Sequence, residues 1–98
     1  MTLEEFQASL EANEPPTGLS APLEALWWDA RGKWDRAHGL VDSLDSREGT
    51  AVHAYLHRKE GADWNADYWY RRAGRTFHRP NPEDEWAALV EGLLPHSG

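Results

Sequence analysis

The sequence predicts an all-α domain of about six short helices, in which two tandem helix-turn-helix hairpins are flanked by a capping helix at each end. Three observations predict this fold. Apolar residues recur at helical spacing along most of the chain, no segment alternates apolar and polar residues over a useful length, and a set of small residues recurs after 29 positions. The 98 residues are enough for one core, so we treat 1–98 as a single domain.

The repeat is carried by small residues that stand at matching places in the two hairpins. They are Ala25, Gly32 and Ala37, and 29 residues later Ala54, Gly61 and Ala66. Two antiparallel helices pack closely where small residues face each other, and they turn tightly where Gly takes a positive φ angle. We therefore expect the four Ala at close helix contacts and the two Gly in turns.

The segment 1–18 predicts a helix followed by a Pro-rich linker. Thr2 and Glu5 form a capping box, and apolar residues follow at helical spacing, so a helix is expected over 3–12. Residues 13–18, which include two prolines, end it.

The first hairpin is predicted over residues 20–45. Ser20 is the expected cap of its first helix, with Pro22 in the first turn, and Gly32 ends that helix. Apolar residues at helical spacing then predict the second helix over 34–44.

The second hairpin is predicted over residues 47–74. Residues 45–50 are polar and indicate a turn, after which a helix is expected over 51–60. Asp63 is the expected cap of the next helix, which runs through Ala73.

The C-terminal helix, over residues 81–94, has the strongest signals. Asn81 is the expected cap and Pro82 takes the first helical position. The acids at 83–85 then lie at the positive end of the helix dipole, and Pro95 ends the helix.

The sequence AYLHRKEGADWNADYWYRRAG in the second hairpin follows a pattern of small residue, Gly, Ala, aromatic and Ala, at Ala54, Gly61, Ala66, Tyr70 and Ala73. It resembles a degenerate tetratricopeptide repeat. The first hairpin matches less well, with Ala25, Gly32, Ala37 and Val41 but with Leu44 in the last position. The resemblance covers about half of the chain, and it departs from the family in a shorter period and in lacking a Pro after the second helix. The strings ALWWDARGKWDRAH and HAYLHRKEG also resemble small bacterial proteins of unassigned function.

The resemblance implies that the first helices of the two hairpins line a concave face that binds a partner. The helical stripes then turn five residues towards that face: Leu26, Asp29, Tyr55, Arg58 and Lys59. Because both charge signs occur there, a protein or peptide, or a second copy of the chain, suits this face better than a nucleic acid.

The composition narrows the classes of function. The formal charge of −7 disfavours non-specific binding to nucleic acid, and the absence of Cys excludes disulfides and thiolate zinc sites. No apolar run is long enough for a membrane span, and the acidic N-terminus lacks the features of a signal peptide. The expected location is the cytoplasm.

Two histidines have a spacing that a metal ion could bridge. His53 and His57 lie four positions apart on the predicted helix and therefore share a face. A zinc ion requires further ligands, and no Cys, HExxH motif or recognisable third residue supplies them. His38, His78 and His96 have no spacing that relates them to the pair. The sequence therefore predicts neither a metal site nor a cofactor.

The six tryptophans divide into two groups. Four fall on apolar helix stripes and are expected in the core: Trp27, Trp34, Trp69 and Trp86. Trp28 and Trp64 lie beside a stripe or at a helix start, and they are expected at the surface.

The stretch 68–79 interleaves aromatic residues with Arg71, Arg72 and Arg75, a mixture used to bind phosphate and stacked bases. The part over 75–80 is expected to connect the last two helices. The acids at 83–85 could instead pair with these guanidinium groups within the molecule.

No motif specifies an activity, so three classes of function stay open. The first is a small protein or peptide interaction module, which uses the concave face. The second is binding of an anion or nucleic acid by the arginines in 68–79. The third is an enzyme, for which no nucleophile motif, phosphate loop or selected carboxylate pair is present, so no enzymatic activity is predicted.

Overall fold

The computed structural model describes residues 1–74 and 81–95, which form six α-helices and no strand. The helices are α1 (Leu3–Ser9), α2 (Ala21–Ala30), α3 (Trp34–Val41), α4 (Arg47–Lys59), α5 (Asp63–Arg72) and α6 (Pro82–Leu93). The predicted all-α class is confirmed. α2 packs against α3 and α4 packs against α5, so that the two hairpins lie side by side, with α3 also touching α4. No helix of the described residues is long and apolar enough to cross a membrane.

The turns of the two hairpins have the same geometry. Gly32 has a φ angle of 79° and Gly61 one of 93°, and both follow the end of the first helix of their hairpin. In each turn the next amide closes back on the helix, with Lys33 N–H donating to the Trp28 carbonyl and Ala62 N–H to the His57 carbonyl, both at 2.9 Å. The side chains of the repeated small residues are all fully buried: Ala25, Ala37, Ala54 and Ala66. The spacing of 29 residues therefore corresponds to one hairpin.

α1 has the predicted capping box but is shorter than predicted. The Thr2 side chain accepts from the Glu5 amide at 3.1 Å, and the Glu5 carboxylate accepts from the Thr2 amide at 2.8 Å. The helix ends at Ser9 rather than at residue 12, because the following amides bond three residues back, as in Leu10 N–H to the Gln7 carbonyl at 3.1 Å. The chain tightens into turns there, before the prolines.

α4 begins four residues earlier than predicted. The polar residues before it form its cap, because the Ser46 side chain accepts from the Gly49 amide at 3.0 Å. The Thr50 hydroxyl donates to the Ser46 carbonyl at 2.9 Å, and Gly49 and Thr50 are buried. The cap of α5 also differs, since Ala62 takes that place and Asp63 is the first helical residue.

α6 lies across the first helices of both hairpins rather than capping one end of them. The indole N–H of Trp86 donates to the Leu26 carbonyl at 2.9 Å, and the Trp86 ring lies 5.8 Å from that of Phe6 on α1. Trp86 and Trp27 are in the core, as predicted. The face that a tetratricopeptide-like pair of hairpins would leave open is therefore covered by this chain's own C-terminal helix.

Trp28 is buried, although the sequence predicts it at the surface. Its indole N–H donates to the Glu24 carboxylate at 3.2 Å, and the Arg36 guanidinium lies 4.0 Å from the ring centre. Glu24 belongs to α2 and Arg36 to α3. Together they cover the Trp28 ring, which lies beside the apolar stripe of α2.

Candidate metal centre

Three imidazole rings meet where the two hairpins join. We call His38 of α3 and His53 and His57 of α4 the three-histidine cluster. One ligand nitrogen from each ring can be chosen so that all three lie within 4.8 Å of one another, and no other group of three or more such residues is found among residues 1–74 and 81–95. His38 Nε2 and His53 Nε2 lie 3.1 Å apart, within hydrogen-bond distance.

The helices explain the meeting of the rings. His53 and His57 are one turn apart on α4 and share the face that packs on α3. His38 approaches from α3, with its ring centre 4.8 Å from that of His53 and 5.1 Å from that of His57. Each hairpin therefore supplies part of the cluster.

Two tryptophans form the walls of the cluster. The Trp34 ring stacks on His38 with ring centres 4.9 Å apart, and the Trp69 ring stacks on His53 with centres 4.1 Å apart. Both indoles are held by hydrogen bonds, Trp34 N–H to the Leu56 carbonyl at 2.8 Å and Trp69 N–H to the Asn65 side chain at 3.1 Å. The two indoles are half-buried and fix the orientation of the imidazole rings.

His53 is held in its neutral form. Its side chain is buried, and this burial lowers its pKa to about 4, with smaller contributions from the charges of His57 and His38. The Asp42 carboxylate acts in the opposite direction and raises the pKa of His53. A neutral imidazole is the form that binds a metal ion.

A carboxylate holds the outer nitrogen of His57. His57 Nδ1 lies 2.7 Å from Glu60 Oε1, one turn along the chain. Histidines that bind a metal commonly donate their second N–H to a carboxylate, which fixes the ring and its tautomer. Glu60 is therefore placed to leave His57 Nε2 as the nitrogen available to a metal ion.

His53 has one nitrogen that is not satisfied within the described part of the chain. Its Nδ1 is buried and makes no hydrogen bond there. Buried polar atoms in folded proteins are almost always paired, so an orphaned one needs a reason. An ion bound at Nε2, the nitrogen that faces His38, would account for a histidine at this buried position but not for the unpaired Nδ1.

The spacing of one pair of rings suits zinc. Zinc lies about 2.0–2.1 Å from each imidazole nitrogen in tetrahedral sites, which places two such nitrogens about 3.3 Å apart. The observed 3.1 Å between His38 Nε2 and His53 Nε2 is close to that value. Imidazole also suits copper, nickel and iron, and three protein ligands leave a fourth position of a tetrahedron to be filled.

The sequence argument against a metal site does not relate His38 to the histidine pair. It finds no third ligand because His38 and His53 are 15 residues apart in the chain and lie on different helices. No periodic pattern links such residues, and only the packing of α3 on α4 brings them together. His78 and His96 lie outside the described residues.

The five residues expected on a concave partner face do not form a free surface. Leu26, Asp29 and Tyr55 are buried. Asp29 accepts from the Tyr55 hydroxyl at 2.8 Å and from Lys59 Nζ at 3.0 Å, and burial together with the Asp29 charge raises the pKa of Tyr55. Arg58 Nη1 donates to Glu85 Oε1 of α6 at 2.7 Å. Leu26, Asp29 and Tyr55 therefore do not face outward as expected, Arg58 is half-buried against α6, and Lys59 is exposed.

A groove of about 310 Å³ remains beside these residues. Its walls include Asp29, Tyr55, Lys59 and Trp86. None of the three histidines of the cluster lines this groove.

The outer face of α5 carries the two most exposed large hydrophobic side chains of the described residues. The Trp64 residue is 79% exposed, which confirms its predicted surface position, and Tyr68 is half-exposed. Arg71 and Arg72 are exposed in the last turn, and Arg72 Nη1 donates to the Tyr68 hydroxyl at 3.3 Å. Arg75 and the predicted connector over 75–80 lie outside the described residues.

No family model, curated protein or solved structure matches this chain.

Proposed function

We propose that this protein binds one transition-metal ion of the zinc class at the three-histidine cluster, and that the ion has a structural role. The observation that carries the proposal is the convergence of three mostly buried imidazole nitrogens, from two helices, within 4.8 Å. Imidazole is the most common protein ligand for such ions. The proposal includes the sequence prediction that the chain is not an enzyme.

The chemistry around the rings favours a ligand set over simple packing. Two apolar rings would fill the same space without leaving a polar atom such as His53 Nδ1 unpaired. The Glu60 carboxylate also positions His57 as metal-binding histidines are positioned. The contact between His57 and Glu60 is a feature that metal-binding histidines share and that a packed core does not require.

The location of the cluster gives the ion its role. His38 belongs to the first hairpin, and His53 and His57 belong to the second. An ion held by all three therefore clamps the hairpins together. Because the unfolded chain does not hold the rings together, binding adds to the free energy of unfolding.

The test is a zinc titration of metal-depleted protein, followed by chemical unfolding. At a free zinc concentration 100 times the dissociation constant, we expect the free energy of unfolding to rise by about 2.7 kcal/mol. His38→Gln should abolish the rise, because it removes the contribution of the first hairpin. His38 is only half-buried, so this variant should fold without metal.

The matched controls are His78→Gln and His96→Gln, which remove the chain's other two histidines one at a time. Both should respond to zinc as the wild type does. An absence of zinc binding by the wild type, or an equal response in His38→Gln, would show that the proposal is wrong.

A second candidate function is the binding of a protein partner to the outer face of α5. The partner would have an acidic surface. Trp64, Tyr68 and Arg72 follow at successive helical turns, and Trp, Tyr and Arg are the residues most enriched at the energetic centres of interfaces. A second copy of this acidic chain is one such partner. Sedimentation over a range of concentrations should then show dimers for the wild type and monomers for Trp64→Ala. A wild type that stays monomeric would remove the homodimer.

A further inference from the structure

We infer that Asp42 supplies the fourth ligand of the metal ion, so that the three-histidine cluster becomes a closed site of three imidazoles and one carboxylate. This inference rests on the proposed function, and it determines whether the metal site is closed or has an open position. A closed site of four protein ligands is typical of structural zinc, whereas an open position filled by water is typical of catalytic zinc.

The backbone places Asp42 one turn after His38. Its amide donates to the His38 carbonyl at 2.9 Å, and its φ and ψ angles of −63° and −25° continue the helical path of α3. Residues joined by this bond lie on the same face of a helix. Asp42 therefore shares the face of His38 that packs on α4.

Two ligand pairs with the same spacing then face each other. His38 and Asp42 are four residues apart on α3, and His53 and His57 are four residues apart on α4. Two ligands at this spacing on one helix can reach a single ion, as in the helical zinc motif of metalloproteases. One such pair from each helix provides the four ligands of a tetrahedron.

Asp42 is exposed, so its side chain can turn without disturbing the core. Its oxygens lie outside the group of three nitrogens, and binding of the ion therefore involves a change of the Asp42 side-chain rotamer.

The other nearby carboxylate is already engaged. Glu60 is bonded to His57 Nδ1 on the outer side of that ring, where it orients the ligand rather than contacting the ion. A carboxylate from Asp42 also neutralises part of the charge of a divalent ion in this half-buried place, which a water molecule would not do.

The experiment uses the full chain loaded with cobalt(II), whose visible absorption reports coordination, and zinc affinities measured by competition with a chromophoric chelator. Asp42→Asn removes the anionic ligand at nearly constant shape. Asp45→Asn is the matched control, because it makes the same charge change at an exposed site in the connection between α3 and α4. Circular dichroism confirms that each variant is folded.

We expect Asp42→Asn to weaken zinc binding at least about 10–100-fold, the range found when even outer partners of metal ligands are lost. Asp45→Asn should stay within about threefold of the wild type. Added azide should leave the cobalt spectrum of the wild type unchanged, since the site is closed, and should alter that of Asp42→Asn, where a position opens.

The outcomes separate the two proposals. If the wild type binds neither zinc nor cobalt, the proposed function and this inference are both wrong. If the wild type binds and the two Asn variants have equal affinities, or if azide alters the wild-type spectrum, the metal site stands and Asp42 is not its fourth ligand.

Discussion

The two hairpins share a backbone frame but differ in the chemistry placed on it. Gly32 and Gly61 turn the chain in the same way, and the Ala residues at the helix contacts are equally buried. In the last two turns of the first helix, however, the first hairpin has Glu24 paired with Trp28, whereas the second has His53 beside His57. The backbone frame is therefore repeated, whereas the second hairpin supplies two of the three histidines of the cluster and the first hairpin supplies one.

A second difference concerns the charged residue at the end of each first helix. Asp29 of the first hairpin is buried and accepts from Lys59 and Tyr55 of the second. Arg58, at the matching place in the second hairpin, donates to Glu85 of α6. Equivalent positions in the two hairpins thus carry opposite charges. Asp29 contacts the second hairpin, whereas Arg58 contacts α6. Three experiments test how far the equivalence extends.

The largest effect is expected at the contact between Arg58 and Glu85. Arg58→Met leaves Glu85, which is 5% exposed, without its cation, although Tyr70 still donates to it. Removing one partner of a buried ion pair is strongly destabilising, so we expect a loss of about 3 kcal/mol in the free energy of unfolding. Denaturant unfolding measures it.

The matched variant for that contact is Lys59→Met, which removes the cation that faces Asp29. The Lys59 side chain is 41% exposed, so the Lys59 ammonium gives up less hydration in the pair than the Arg58 guanidinium does. Asp29 is itself buried and keeps the Tyr55 hydroxyl, so the loss should be smaller than that for Arg58→Met. Equal losses for the two variants would show that burial does not distinguish the two ion pairs.

A smaller effect is expected where the helices of a hairpin meet. Ala66→Leu adds three carbons at a fully buried contact of the second hairpin and should cost about 2 kcal/mol by overpacking. Ala37→Leu, the equivalent change in the first hairpin, should cost a similar amount. Ala88→Leu on the exposed side of α6 should change the midpoint little. If Ala66→Leu is tolerated as well as Ala88→Leu, the close contact is not required.

The smallest effect is expected in the turns. Gly32→Ala and Gly61→Ala each place a side chain at positive φ, which costs about 1 kcal/mol. A Cβ atom at either position would meet no atom within 4 Å, so the cost comes from the backbone alone and should be the same in both hairpins. Gly39→Ala, within α3 and also free of close contacts, should instead stabilise the protein by somewhat under about 1 kcal/mol. Unequal costs at Gly32 and Gly61 would break the equivalence of the turns.

The sequence by itself determined the helical class, the two hairpins and the turns. These features depend on residues close together in the chain, such as a capping side chain with an amide three residues on, or a Gly just after a helix. Where local signals conflict, prediction was less accurate. The polar residues around Ser46 fit a turn and a helix cap equally well. In the structure Ser46 caps α4.

Only the tertiary structure decided which side chains meet between helices. The approach of His38 to His53 and His57 depends on how α3 packs on α4, and the burial of Leu26 and Tyr55 depends on where α6 lies. Such contacts join residues 15 to 60 positions apart, as in the hydrogen bond from Trp86 to Leu26. Helix periodicity specifies which face a side chain occupies but not which other face it packs against, so the sequence supplied the histidines and the fold brought them together.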